Sequence, residues 1–448
     1  EKAAVLKPDY AEAHYNLGNL YRLLKKPAKA ATYYKYVINI TPDHASAHHG
    51  LGITFMETDK PEEAISSFNK ALSLEPDYAE AHGSLSSALL ELGRAQDALE
   101  SCRKALQLRP DKPEMHYTEG NIFKALDQSD KALISYRRAV SLEPNFVEAN
   151  FNLANILREL NHLKSAVAAY RKTLALKPDH GVAHNNLGLT LMDLGDLGKA
   201  VACYQKALSI DPQDSLAHWN LSLGFLRQGD WKGGWAEFDW RLQRQGDNEL
   251  CQWRTPPLTM WTGSRLEGKN ILVYAEQGVG DEIMFSSCIP DLIAENPDKV
   301  LLECDPRLEP LFTRSFPNVH VCGKERELDF SWIHEHGPLD YSLPIGSLPK
   351  FFRNRVEDFP EQGSDLVPGT ELVATSGLYE RFLGGQICWE IGWLATHPEH
   401  QGKGVGSALV AAALRTALDL EERSIALRTD DFRLPAMKIY LKLGFVPD

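Results

Sequence analysis

Apolar and small residues recur along the first half of the chain with two superimposed periods, one of a helical turn and one of 34 residues. In the stretch 11–44, Leu17, Gly18 and Tyr21 share one face of a first helix, and Ala30, Tyr34 and Val37 share one face of a second. The same places are held by Leu51, Gly52, Phe55, Ala64, Phe68 and Ala71, and later by Leu187, Gly188, Leu191, Ala200, Tyr204 and Ala207. The small residues let paired helices approach, and the large ones fill the holes that remain. Pro8, Pro42, Pro76, Pro110, Pro144, Pro178 and Pro212 each stop a second helix, and Asp9, Asp43, Asp77, Asp111 and Asp179 suit the turn that follows. Helix pairs on a fixed period can bury their apolar faces only against the next pair, which predicts an all-α superhelix over residues 1–245.

After about residue 245 the pattern changes. Asn270 to Ala275 and Lys299 to Cys304 read as buried strands, each followed by a helix, and residues 318–323 as a third strand. Strand–helix alternation predicts a parallel α/β sheet over 246–352. Residues 353–378, with Pro360, Gly363, Pro368 and Gly369 among acidic and small residues, read as a linker or fusion junction. The segment 379–448 opens on a strand, Gln386 to Thr396, followed by a glycine loop, an apolar helix, a strand from Arg423 to Thr429 and a helix from Leu434 to Leu443 closed by Gly444.

Composition narrows the partners. A net charge of −13 argues against nucleic acid or an anionic membrane surface as the main partner. No apolar run approaches the length of a transmembrane helix. The seven cysteines are scattered, without a CxxC pair or metal-ligand spacing, and read as reduced thiols of a cytoplasmic protein with neither a disulfide framework nor a metal site. The chain starts on Glu1, within what reads as the tail of a repeat, and ends abruptly at residues 444–448; it reads as a fragment.

The 34-residue unit resembles a tetratricopeptide (TPR) array of six full repeats and a degenerate seventh. The seventh keeps His218, Leu221 and Phe225 but is rich in tryptophan (Trp231, Trp235, Trp240), as a cap or a dock for the next domain should be. Histidine recurs as His14, His48, His82, His116, His184 and His218, where helix packing is the reading favoured over a metal or pH role. Asn16, Asn152, Asn186 and Asn220 follow two places after that position, and the repeats of O-linked GlcNAc transferases look similar. That resemblance implies a concave groove in which amides grip an extended peptide backbone, each offering a donor and an acceptor. Gly50, Ser84 and Thr118 interrupt the ladder.

Residues 261–285 and 345–353 resemble the N-terminal half of a heptosyltransferase-like GT-B glycosyltransferase, a Rossmann domain. The resemblance implies that Asp281 faces the acceptor as a base; on residue chemistry alone it is equally a residue of a helix N-terminus beside a tight turn. Ile283 stands where a dinucleotide fingerprint has its third glycine. The second Rossmann half is absent, and without it no sugar transfer is expected.

Gln401, Gly402, Lys403, Gly404, Val405, Gly406 and Ser407 form a glycine loop running into a helix, where backbone N–H groups and the helix dipole favour an anion. Such a loop is either a pyrophosphate cradle or a tight strand–helix turn. With Ala436, Tyr440, Gly444 and Phe445 downstream, the last 65 or so residues resemble the GNAT family of N-acetyltransferases, a partial α+β fold here. The resemblance implies acetyl-CoA as cofactor, its pyrophosphate on Gln401–Ser407, and Tyr440 as the acid that protonates the departing thiolate. It also implies a glutamate base on the preceding strand, for which Glu390 is the candidate. The alternatives are an exposed strand carboxylate for Glu390 and a packed helix residue for Tyr440. Arg433 replaces an asparagine that often contacts the cofactor. Three functions are thereby expected in order: a TPR scaffold with an acetyltransferase acting on an amine acceptor, an inert protein-binding scaffold, and a TPR-linked glycosyltransferase.

Overall fold

The computed structural model describes residues 9–243, 255–276, 278–324, 330–359, 374–383, 386–396 and 425–426. The chain divides into two compact units, Glu1–Ile210 and Asp211–Asp448. In the first unit the helices come in pairs: α1 (Ala11–Leu23) with α2 (Pro27–Ile40), α3 (Ala45–Met56) with α4 (Pro61–Leu74), and α5 (Ala79–Glu91) with α6 (Ala95–Leu108). They continue as α7 (Pro113–Ala125) with α8 (Ser129–Leu142), α9 (Val147–Glu159) with α10 (Leu163–Leu176), and α11 (Gly181–Asp193) with α12 (Leu197–Ile210). Every second helix ends two residues before its ladder proline, as the sequence predicts.

Each first helix closes on a residue with positive φ, and these too keep the 34-residue period: Lys25, Asp59, Gly93, Asp127, Asn161, Gly195 and Gly229. The amide after each reaches back to a carbonyl five residues earlier, as from Lys26 to Tyr21 and from Arg94 to Leu89. This left-handed closure is why Gly, Asn and Asp dominate the position. Between paired helices the approach is close. A Cβ on Gly18 would stand 2.7 Å from the Tyr34 ring, and one on Gly188 would stand 2.5 Å from that of Tyr204.

The repeating histidines have a second duty beyond packing. Nε2 of His48, His82, His116 and His184 meets the carbonyl of the ladder proline six residues earlier, at 2.8–3.0 Å. In the fifth repeat Asn150 replaces histidine, and its amide donates to Pro144 at 3.2 Å. The reading of these residues as packing groups alone is thus incomplete, because the ring also donates to the turn carbonyl, which a phenyl ring cannot do.

In the second unit the seventh repeat, α13 (Ser215–Gln228) and α14 (Trp231–Phe238), runs into a short 3-10 turn, Asp239–Gln243. Five parallel strands follow: β1 (Thr259–Met260), β2 (Asn270–Tyr274), β3 (Lys299–Cys304), β4 (His320–Gly323) and β5 (Tyr341–Pro344), in the order β1-β5-β2-β3-β4. The helices among them are α15 (Val279–Ser286), α16 (Ile289–Ala294), α17 (Glu309–Ser315) and α18 (Pro349–Phe352). Alternate residues of the central strands serve two cores, as a sheet covered on both faces requires. Ile271, Val273, Val300 and Leu302 share one core with Trp235 and Phe238 of the seventh repeat, and Leu272, Tyr274 and Leu301 join Phe330 and Ile333 in the other. The tryptophan-rich repeat therefore docks on the sheet.

A separate three-stranded sheet has the order β6-β7-β8, from β6 (Ala374–Leu383), β7 (Gln386–Thr396) and β8 (Ile425–Ala426), with β6 antiparallel and β8 parallel to β7. β6 begins within the stretch read from sequence as a linker. Among the described residues no helix is long and apolar enough to cross a membrane.

Candidate functional site

Strands β2 and β5 are neighbours, but the chain reaches β5 only after moving through β3 and β4 on the other side. Crevices at the carboxyl ends of strands about such a reversal are where open α/β sheets bind ligands. Here the place is held by charge. Arg241, only 2% exposed, donates from one nitrogen to both oxygens of Glu276 at 2.8 and 2.9 Å and to Ser347 Oγ at 3.1 Å. Its other terminal nitrogen donates to Asp239 at 3.0 Å. Asp239 also accepts from Ser347 Oγ at 2.6 Å and from Lys350 Nζ at 2.9 Å, and Glu276 accepts the Gly346 N–H at 3.0 Å. Burial pushes both carboxyls up. For Asp239 the cations and hydroxyl win, leaving it below the usual range; for Glu276 burial wins over Arg241.

Asp281 lies in the first turn of α15, beside this network. Burial pushes its carboxyl up to about 6, against the backbone of Gly278, which favours the charged form, and with help from Glu276. A carboxyl at that value can exchange protons near neutral pH. Its neighbour Glu282, 2% exposed, is pushed up to about 8 by burial, although its carboxyl accepts the Asp305 N–H at 2.8 Å. Sequence reasoning singled out Asp281 and missed Arg241, Glu276 and Asp239. For Arg241 and Asp239 the signal was charge alternating with aromatic residues over 237–241; Glu276 had none beyond its place after a buried strand.

The asparagine ladder takes several forms. Asn152 donates to Asn121 Oδ1 at 3.0 Å and to the Tyr117 hydroxyl at 3.3 Å, and Asn186 donates to Asn155 Oδ1 at 3.1 Å. These bonds cross from one repeat to the next. The acceptors are themselves anchored, since Tyr136 and Tyr170 donate to Asn121 and Asn155 at 2.7 and 2.6 Å. Asn16 is exposed and meets Glu12 at 3.5 Å, whereas Asn220 is 4% exposed. The spacing singled out Asn152 and Asn186 and overlooked Asn121 and Asn155, three residues after the ladder position.

Glu390 sits on the central strand β7, in register with Tyr379 of β6 and Ala426 of β8. Gln401, Gly402, Lys403, Gly404, Val405, Gly406, Ser407 and Tyr440 lie outside the described residues. Strand β7, which precedes those residues in sequence, pairs in parallel with β8.

The acetyltransferase (GNAT) family model matches residues 326–445. Tetratricopeptide repeat models match residues 11–44, 49–113, 117–181 and 181–214. Protein FlbA of Caulobacter vibrioides is 35% identical over 128 residues, which cover 26% of this chain and 21% of that protein. The chain thus spans about a fifth of the length of that curated relative. Among solved structures, YrrB, a TPR protein with an unusual peptide-binding site, has 24% identity and a TM-score of 0.37, over 41% of this chain and 95% of that one. The Cut9–Hcn1 hetero-tetramer of APC/C has 20% identity and a TM-score of 0.46, over 50% of this chain and 44% of that one. This chain carries tetratricopeptide repeats and, after them, a domain of the acetyltransferase (GNAT) family.

Proposed function

We propose that the chain is a protein-binding TPR scaffold whose C-terminal module transfers acetyl from acetyl-CoA to an amine. The match of the GNAT family over residues 326–445 carries this reading. In it, the amides of Gln401–Ser407 would hold the pyrophosphate, with Lys403 adding positive charge. Acetyl-CoA would supply an acyl group activated as a thioester. Glu390, directly or through water, would take a proton from the substrate ammonium so that the free amine can attack, and the Tyr440 hydroxyl would give its proton to the departing sulfur. Backbone N–H groups of β7 would polarise the acyl oxygen. The TPR groove would hold a peptide or protein, with Asn152 and Asn186 aligned by their neighbours and Asn16 and Asn220 at the ends of the ladder.

The test is a thermal-shift titration of the full chain with acetyl-CoA. A ligand at about a hundred times its Kd adds roughly 2.7 kcal/mol, so the melting point should rise, and Gly404→Trp should abolish the rise. An unmoved melting point in the parent chain refutes the reading. Asp281, poised to about 6 at the carboxyl edge of the parallel sheet, favours a second reading, glycosyl transfer with Asp281 as base. A rise with a nucleotide sugar in place of acetyl-CoA would select it.

A further inference from the structure

The sixth repeat carries an open hollow of about 300 Å³ between α10, α11 and α12. Leu187, Leu191, Ala202 and Cys203 form an apolar floor, and Arg171, Lys199 and Lys206 stand around it with His184. Asn186 lies roughly 140–200° around α11 from Leu191 and His184, at about 100° per residue, and it is not among the residues that line the hollow.

The repeat register explains why it is there. In the first repeat the corresponding places hold Tyr33 and Tyr36. Tyr33 stacks on Tyr21 at 5.3 Å between ring centres, and Tyr36 lies 4.4 Å from His14. In the seventh repeat Trp240 stacks on His218 at 3.8 Å. The sixth repeat puts Cys203 and Lys206 where the first has tyrosines, and Leu191 where it has Tyr21, so the space stays open.

The combination of three cations with an apolar floor also sets this repeat apart. At the place of Lys199 the second, third and fifth repeats have Glu63, Asp97 and Ser165. The fourth matches all three cations with Arg103, Lys131 and Arg138, but puts Glu119 where the sixth has Leu187, and Ser135 donates to it at 2.8 Å. In the sixth repeat the carboxylate at the rim is Asp196, bonded to Lys199 and held below the usual range by that bond first and by Arg171 in part. Three cations against one carboxylate leave a positive rim on a chain whose net charge is −13.

We infer that this hollow docks an acidic segment of a partner protein that inserts one apolar side chain, with Arg171 and Lys206 meeting its carboxylates. An apolar anchor surrounded by charge contacts combines a desolvated centre with a polar rim. The proposal is independent of the acetyl-transfer reading, because its test contains no acetyl-CoA.

Anisotropy of fluorescein-labelled peptides titrated with the full chain provides that test. A peptide of alternating Asp and Glu around a central Phe-Leu pair should bind, and more weakly as salt rises. Replacing Phe-Leu by Gly-Ser, or the acids by Lys, should weaken binding at least tenfold. Lys206→Glu, at an exposed position, should do the same without lowering the melting point, and Cys203→Tyr should do so by filling the hollow. Lys70→Glu, at the same place in the second repeat and exposed, should leave the affinity unchanged. No binding of the first peptide, equal binding by Lys206→Glu, or an equal loss in Lys70→Glu would overturn the proposal.

Discussion

Glu282 shows how far a single side chain can be displaced from its solution chemistry. Burial raises its carboxyl from 4.5 to about 8, so the folded chain binds an extra proton between those values. Stability from this group therefore falls as pH rises from about 5 to 8. Glu282→Gln keeps an oxygen for the Asp305 N–H and should remove that fall. Its advantage over the parent chain should grow to the order of 2–4 kcal/mol by pH 8, read from urea melts at several pH values. The same scale explains which residues could be read in advance. Tyr34, Tyr136 and Tyr170 each donate to an asparagine fifteen residues earlier, Asn19, Asn121 and Asn155. Where Phe68 replaces the tyrosine, Ile53 replaces the asparagine, although the sixth repeat keeps Tyr204 with Leu189 at that spacing. A buried hydroxyl needs its acceptor, and a phenyl ring does not. That covariation lies in the sequence itself, yet it has meaning only once the two helices are known to pair.

Elements follow the sequence closely where local rules suffice. The proline ladder, the small residue facing the large ring and the helix-pair period all give the helices observed. The positive-φ closures were equally present, as Gly93, Asn161, Gly195 and Gly229 on one period, but Lys25 and the aspartates obscure them. The histidine–proline tie was not readable, because a histidine's period says nothing about the carbonyl it faces. That tie can be measured. His82→Phe should cost about 0.5–1 kcal/mol in urea unfolding by removing the donor to the Pro76 carbonyl. His82→Asn, copying Asn150, should recover most of the loss. Equal losses for both would reduce the histidine to a packing group.

For the whole molecule, the compact division falls between Ile210 and Asp211, so the seventh repeat belongs with the sheet. Arg241 is the clearest expression of this, ion-paired at 2.8 Å to a buried glutamate 35 residues away. Arg241→Met would leave the Glu276 carboxyl buried without its cation, a loss of about 3–5 kcal/mol. Hydrogen exchange should then show protection falling together in Ser215–Phe238 and in strands β2 and β5, with residues 11–210 unaffected. Adding Glu276→Gln should restore part of it. The sequence by itself determined the repeat number, the helix pairs, the parallel character of the middle segment and the strand that bears Glu390. Each of these follows from spacing along the chain, and spacing records local conformation and which face is buried. Tertiary structure alone decided that Arg241 meets Glu276 and Asp239, that Asn152 and Asn186 bond to the preceding repeat, and that the sixth repeat keeps a hollow the first and seventh fill. These depend on which distant side chains share a volume and on what burial does to their charge, and no local pattern carries that information.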